Sequence, residues 1–243
     1  AKGVVKWKYQ DNRFVHINNT YSTQGYYFLT SNSNPRKLIT EKIETEAPNT
    51  YSMSFTDYQL HEQELYNFVK SGKEFFGETF SNNSQQTFSF NLSGYLIENA
   101  IVDLEVASNS TLSTNFEVSI AGTKQSNLNI PGMTGNYQKA SVISSQYSFV
   151  TSSVKNDIQL GYKGTQSTNG YLNYIRVNYR RRIECVSPFL AFRDPNSVGD
   201  GNVTRFTVAA ANNKWKVWDV SDAENVVSMS TELSGSVFYF TAK

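Results

Sequence analysis

Apolar and polar residues alternate along much of this chain, and the longest alternating stretch covers residues 170–182. One side of its pattern runs on to residue 185 and is apolar or aromatic: Tyr171, Ile175, Val177, Tyr179, Ile183 and Cys185. The other side is mostly polar and basic: Leu172, Tyr174, Arg176, Asn178, Arg180 and Arg182. Because successive strand side chains point to opposite faces, the pattern predicts a long strand with one apolar face and one basic, polar face. We expect a second sheet to cover the apolar face.

Shorter alternating stretches recur from residue 84 onward, with Gly, Asn and Pro between them. They lie at residues 88–92, 102–106, 116–120, 158–162, 206–208, 215–217 and 237–239. Many short strands of this kind are typical of an antiparallel β-sandwich. No helical crossovers separate them, which argues against a parallel α/β sheet. The sequence therefore predicts an all-β fold, with a jelly-roll-like β-sandwich domain over residues 81–243.

The first 80 residues predict a smaller β-rich segment ahead of that sandwich. Strands are indicated at residues 5–9, 14–17, 25–30 and 37–43. The polar, turn-rich residues 81–86 mark the expected boundary between the two parts.

One short helix is predicted within the first segment, near residues 58–70. Apolar and aromatic residues recur there at spacings of three and four, which is the period of one helix face: Tyr58, His61, Leu65 and Phe68. Asp57 is the expected N-cap of this helix and Gly72 the expected C-cap.

Charge and cysteine content exclude several classes of protein. The formal net charge is +1 and 18% of residues are charged, so no global field attracts nucleic acid. No apolar run approaches the roughly 20 residues that a membrane-spanning helix needs. The single cysteine, Cys185, excludes an intrachain disulfide and a zinc site of several Cys and His ligands. We expect no nucleic-acid partner, no membrane span, no metal and no cofactor.

A cysteine nucleophile would need Cys185 beside one of the two histidines, His16 or His61. Neither histidine lies in a Gly-rich turn, and Cys185 continues the apolar side of the long strand. A buried structural thiol is therefore the favoured interpretation. The chain contains no G-x-S-x-G nucleophile motif. The residues by themselves predict no catalytic site.

Two features of the sequence are compatible with a binding site, and each also has an ordinary structural explanation. Residues 194–202, DPNSVGDGN, alternate oxygen-bearing side chains with glycine as a calcium loop does, but the same residues favour an ordinary turn. Exposed aromatic residues on a sheet face, from Trp7, Trp215, Trp218 or the tyrosines, would suit a carbohydrate site, although most aromatic residues pack in cores. The basic run at residues 180–182 is more typical of a solvated strand end or a partner-facing edge than of a nucleic-acid site.

Three stretches, taken together, resemble one family. Residues 71–78, SGKEFFGE, are similar to a motif of the type SGREWFGE, and residues 170–181, GYLNYIRVNYRR, to a strand of the type GYLDYIEVNARR. Residues 192–193, 201–203 and 217–222 follow the order FR, GNV and VWDVSD, similar to FR…GNV…VWDVTDP. This order resembles the region upstream of the peptidase domain in gingipain-like cysteine peptidases of the Bacteroidetes type IX secretion system, over residues 50–243.

The resemblance implies a non-catalytic N-terminal scaffold or docking region of a surface peptidase that processes C-terminal secretion signals. In that family a caspase-like domain with a His–Cys pair follows the VWDVTDP segment, so no catalytic residue carries over to this chain. The implied partners are the chain's own C-terminal peptidase domain and outer-membrane proteins of the secretion system, and the implied location is the cell surface. The alternative is a stand-alone carbohydrate-binding or adhesive β-sandwich of a bacterial surface protein.

Overall fold

The computed structural model describes residues 5–19, 39–70, 74–199, 201–212, 214–222 and 224–243. These residues form an all-β fold, and none of them lies in a helix. The strands are β1 Val5–Gln10, β2 Arg13–Asn18, β3 Thr40–Lys42, β4 Thr50–Ser52, β5 Ser54–Glu62, β6 Thr79–Phe80, β7 Gln85–Asn91, β8 Asn99–Ser108, β9 Thr114–Ile120, β10 Thr123–Lys124, β11 Leu128–Ile130, β12 Ser141–Val150, β13 Lys155–Lys163, β14 Gly170–Arg182, β15 Thr204–Val208, β16 Val217–Asp219, β17 Val227–Met229, β18 Glu232–Ser234 and β19 Val237–Ala242. The strand predicted at residues 25–30 lies outside the described residues.

The chain forms two compact units, each built from two stretches. Unit 1 contains residues 1–25 and 57–180, and unit 2 contains residues 26–56 and 181–243. The predicted division into residues 1–80 and 81–243 stays a prediction.

Unit 1 holds two five-stranded sheets and a hairpin. One sheet has the order β10-β9-β13-β7 with β11 beside β9, and the other has the order β12-β8-β14-β5 with β6 beside β14. All pairings among the strands from β6 to β14 are antiparallel. Apolar side chains from both sheets meet in one buried core, which includes Phe90, Leu104, Val118, Leu160 and Val177. The all-β prediction is confirmed, and the jelly-roll sandwich stays a prediction.

The central strand β14 occupies the predicted stretch, but its faces do not follow one alternation. Its register against β8 shifts between Leu172 and Tyr174, which is a β-bulge. Leu172 before the shift and Ile175 after it both lie in the main core. Tyr171 packs in a smaller cluster with Phe76. The prediction that Tyr171 shares a face with Ile175 is therefore wrong, because the extra residue of the bulge exchanges the two faces.

The helix predicted near residues 58–70 is also wrong. Strand β5 covers the first part of this stretch, next to β14 in the sheet. Leu65, which the helix would bury, is 69% exposed. Backbone pairing with a neighbouring strand overrides the spacing of three and four, and aromatic residues such as Phe55 and Tyr58 fit a pleated sheet. The expected C-cap Gly72 lies outside the described residues.

Strands β1 and β2 form a separate antiparallel hairpin. The two residues between them, Asp11 and Asn12, have φ values of 50° and 58°. Two successive left-handed residues are the geometry of a type I′ turn, which Asp and Asn tolerate better than most residues. A lone two-stranded hairpin is marginally stable in water, so this one depends on packing against the rest of unit 1.

Unit 2 is built on a four-stranded sheet of order β18-β19-β15-β4 and a three-stranded sheet of order β16-β17-β3. Strand β4 is parallel to β15, and β3 is parallel to β17, while the other pairs are antiparallel. The buried core of this unit includes Phe55, Ile183, Phe206, Met229 and Phe240. The aromatic ring of Phe192 packs against three of these phenylalanines.

Candidate functional site

The polar face of β14 is buried at Arg176 and Asn178, which contact the hairpin in unit 1. The side chain of Arg176 is 5% exposed, and its Nε and Nη2 donate to Oδ2 of Asp103 on β8 at 3.2 and 2.9 Å. Arg13 of β2 brings its Nε to 3.5 Å from the same oxygen. Gln146 of β12 donates to the other carboxylate oxygen, Oδ1, at 3.1 Å. One buried carboxylate thus joins three strands and the hairpin.

His16 of β2 continues this network. Nη1 of Arg176 donates to Nδ1 of His16 at 2.8 Å. Because a guanidinium can only donate, Nδ1 accepts and the ring proton lies on Nε2. Nε2 faces Oε1 of Glu62 at 3.8 Å, and Asn18 donates to the same oxygen at 2.6 Å. The imidazole edge also contacts the ring of Tyr174, with centroids 4.6 Å apart.

Two further contacts fix the hairpin on this face. The amide side chain of Asn178 accepts from the backbone N–H of Phe14 at 2.7 Å and donates to its carbonyl at 3.1 Å. The rings of Trp7 and Phe14 lie 3.8 and 4.9 Å from the ring of Tyr58 on β5. We call the network of Arg13, His16, Glu62, Asp103 and Arg176 the polar seam.

The polar seam contains no Ser, Thr or Cys side chain, and its two arginines share the carboxylate of Asp103. Its geometry suits a structural role: buried charges must be paired, so they specify one position of the hairpin on the sheet. One feature of the sequence indicates a buried charge pair here. Asp103 interrupts the apolar run of β8, and a charge at such a position needs a buried partner.

Two carboxyl groups near the seam have opposite pKa shifts. Burial raises the pKa of Glu105 above the ordinary 4.5, although Asn173 donates to it at 2.7 Å. Burial also acts to raise the pKa of Glu78, but the hydrogen bond with Nε2 of His61 at 2.7 Å and a backbone hydrogen bond outweigh it, so the pKa of Glu78 is lowered. His61 is thereby engaged in unit 1, as is His16.

Cys185 packs against the core of unit 2 and is partly buried. Burial, with a smaller contribution from the charge of Glu184, raises the pKa of its thiol above the ordinary 9.0. A raised pKa keeps the sulfur in the weakly nucleophilic thiol form at neutral pH. The geometry agrees with the structural interpretation of this cysteine.

The loop at residues 194–202 is organised as a turn in its described part. The backbone N–H of Ser197 donates to the carbonyl of Asp194 at 3.0 Å, and the buried Asp194 carboxylate accepts from Ser52 at 3.1 Å and from Ser197. Among the residues that the structure describes, no three His, Cys, Asp or Glu side chains are grouped as metal ligands. The described residues also contain no helix that could cross a membrane.

The three tryptophans have different surroundings. Trp7 stacks on Tyr58 and Trp215 packs on the core of unit 2, whereas Trp218 is 56% exposed. In the basic run, the guanidinium of Arg181 lies 5.8 Å from the ring of Phe55 and Arg182 is exposed. Of these residues, Trp7 also lies beside the polar seam, with its ring centroid 5.9 Å from that of His16.

Two of the stretches that carry the family resemblance are hydrogen-bonded to each other. The N–H of Gly77 donates to the carbonyl of Leu172 at 2.7 Å, and the N–H of Leu172 donates to the carbonyl of Glu78 at 3.0 Å. A Cβ at Gly77 would lie 3.0 Å from Gln63, so the glycine permits this close approach. The segment at residues 74–78 therefore fastens onto the central strand at its bulge.

The same architecture occurs in a region of a larger protein of known structure. A region of the dimeric latent PorU from Porphyromonas gingivalis superposes on 98% of this chain with a TM-score of 0.83, at 20% sequence identity. The chain shares the fold of this region of PorU. It spans 24% of the PorU chain. The resemblance drawn from the three motifs is thus confirmed at the level of fold.

Other matches are partial. Carbohydrate-binding module CBM36, in complex with calcium and xylotriose, matches 50% of this chain and 98% of its own at 13% identity and a TM-score of 0.33. A family 35 carbohydrate-binding module from an environmental isolate matches 58% of this chain and 95% of its own at 14% identity and a TM-score of 0.35. No protein-family model and no curated protein sequence matches the chain.

Proposed function

We propose that this chain is the non-catalytic β region of a larger gingipain-like surface peptidase that processes C-terminal secretion signals. The observation that carries the proposal is the PorU fold over 98% of the chain at 24% of the length of PorU. The three motif stretches, which resemble the region ahead of the peptidase domain, support the same assignment.

The chemistry of the chain's own residues supports a scaffold. His16 and His61 are hydrogen-bonded to Arg176 and Glu78, and the thiol of Cys185 has a raised pKa. A peptidase dyad needs a thiolate activated by a nearby base. The region would position a C-terminal peptidase domain and contact outer-membrane proteins of the secretion system at the cell surface.

The proposal is tested by assaying the purified chain against a peptide library. We expect no turnover, and we expect the Cys185→Ala variant to behave like the parent chain. Peptide cleavage by the parent chain that disappears in Cys185→Ala would overturn the proposal, because these residues would then form a complete enzyme.

A further inference from the structure

The outward face of the four-stranded sheet in unit 2 carries a row of aromatic and polar side chains. Tyr51 on β4 is the register partner of Arg205 on β15. Two residues further along β15, Thr207 lies opposite Tyr239 on β19, which in turn lies opposite Glu232 on β18. Register partners share a sheet face, as do residues two apart in one strand. We call these five residues the tyrosine row.

The tyrosine row is the solvent side of the sheet. Tyr51 is 72% exposed, whereas Phe206, next to Arg205 in sequence, is 3% exposed and lies in the core. Tyr51 and Tyr239 are on strands two apart and are offset by two residues along the strands, so their backbones are separated by roughly 9.6 Å across the sheet and by roughly 6.8 Å along it. Arg205 lies between them, and its guanidinium carbon is 4.7 Å from the centroid of the Tyr239 ring.

Charge on the tyrosine row cancels internally. Nη2 of Arg205 donates to Oε2 of Glu232 at 2.7 Å, so one cation and one anion neutralise each other. Within the described part of the chain, this carboxylate is the one hydrogen-bond acceptor of the Arg205 guanidinium, and the hydroxyls of Tyr51, Thr207 and Tyr239 form no hydrogen bond. A guanidinium has five N–H donors, so most of its donors are available to a ligand.

We propose that the tyrosine row binds a neutral oligosaccharide. A sugar ring presents an apolar C–H face, which fits an exposed aromatic ring such as Tyr51, and it presents hydroxyls at its rim to the donors of Arg205 and the hydroxyl of Thr207. Because the charges of Arg205 and Glu232 cancel, the row has no net field for a polyanion. The ion pair of Arg205 and Glu232 crosses the row from β15 to the edge strand β18, whereas the core of a typical protein–protein interface is depleted of charged residues.

The experiment is a calorimetric titration of the whole chain with four neutral tetrasaccharides, cellotetraose, laminaritetraose, maltotetraose and mannotetraose, and with heparin as a polyanion. We expect at least one neutral sugar to bind. Tyr51→Ala removes the ring and should weaken that binding about tenfold or more, whereas Tyr51→Phe keeps the ring and should change it by less than about threefold. Both variants change an exposed side chain, so folding is preserved.

Tyr137→Ala is the matched control, because Tyr137 is a 93% exposed tyrosine in unit 1. We expect this variant to bind as the parent chain does. The proposal is overturned if no neutral sugar binds, if heparin binds more tightly than all four, or if Tyr51→Ala binds as well as the parent. It does not depend on the proposed function, since the titration needs no peptidase domain.

Discussion

Arg176 and Asp103 lie on neighbouring strands of one sheet, and Nη2 of the first is 2.9 Å from Oδ2 of the second with both side chains less than 10% exposed. The pair is 73 positions apart in sequence. The two buried charges pair with each other within the sheet. The hairpin attaches to both of them, because Arg13 contacts Asp103 and His16 accepts from Arg176. The pair therefore links the order of the sheet to the position of the hairpin.

Removing one member of this pair is expected to destabilise unit 1 strongly. Asp103→Ala leaves the guanidinium of Arg176 buried without its carboxylate, and such losses cost about 3–5 kcal/mol of unfolding free energy. Urea unfolding of the parent chain and the variant measures this difference. Lys124→Ala is the control, because Lys124 lies 3.9 Å from Glu117 in an exposed pair and should change the free energy by less than about 0.5 kcal/mol. Equal small effects of both changes would contradict the role of the polar seam.

Gly170, the first residue of β14, cannot accept a side chain. A Cβ there would lie 2.5 Å from Phe116 and 2.6 Å from Tyr162, two buried rings. We expect Gly170→Ala to lower the unfolding free energy by about 1–3 kcal/mol, the usual cost of overpacking a core. Gly199→Ala has no atom within 4 Å of the new Cβ and should be neutral or slightly stabilising. Thermal unfolding of the two variants distinguishes the two sites, and equal midpoints would contradict the close packing at Gly170.

Glu105→Gln should stabilise the chain at neutral pH. Because burial raises the folded pKa of Glu105, the stability that the carboxyl contributes is present below its unfolded value of about 4.5 and is lost as pH rises through the folded pKa. Glutamine keeps an oxygen for the hydrogen bond from Asn173 and carries no charge. Unfolding free energies measured across this pH range should show a gain at neutral pH that vanishes in acid. A gain that is constant with pH would contradict the assignment.

Glu78→Gln should have the opposite pH dependence. The folded pKa of Glu78 is lowered because the hydrogen bonds from His61 and the backbone outweigh burial. Its contribution to stability is therefore present above the unfolded value of 4.5 and is lost as pH falls through the lowered folded pKa. We expect the variant to be less stable than the parent at neutral pH and to approach it in acid. A variant at least as stable as the parent at neutral pH would be inconsistent with the His61 contact.

Cys185 should react slowly with iodoacetamide in the native chain at neutral pH. The raised pKa keeps its sulfur protonated, and the side chain is partly covered by the core of unit 2. Denaturant should restore the reactivity of an ordinary free thiol. Rates followed by mass spectrometry test this, and alkylation as fast in the native chain as in urea would show an exposed, activated cysteine instead.

The sequence predicted the positions of the strands better than their pairing and register in the sheets. The thirteen-residue strand β14 and the regular strands from residue 84 onward follow from local alternation, which side-chain geometry dictates. The bulge at Leu172 depends on the register against β8, which no local pattern encodes. The ten-residue strand β12 was not predicted, because Ser and Gln occupy many of its positions, in the sequence SVISSQYSFV.

The candidate sites were harder to predict because they depend on pairing between strands that are distant in sequence. The polar side of β14 is basic as predicted, but its middle residues Arg176 and Asn178 are buried, which the sequence did not indicate because the partners of Arg176 lie on β8 and β2, far away in sequence. The tyrosine row likewise assembles Tyr51, Arg205 and Tyr239 from three strands whose pairing is set by tertiary structure. Residue types alone suggested an aromatic sheet face but pointed first to the tryptophans.

Our proposal that this chain is one region of a larger peptidase predicts that the native gene continues beyond the codon for Lys243. The measurement is to determine the nucleotide sequence that follows the codon for Lys243. We expect the reading frame to continue into an α/β domain with a His and a Cys at strand ends, as the resemblance implies. A stop codon directly after Lys243 would contradict this account and favour a stand-alone carbohydrate-binding or adhesive β-sandwich.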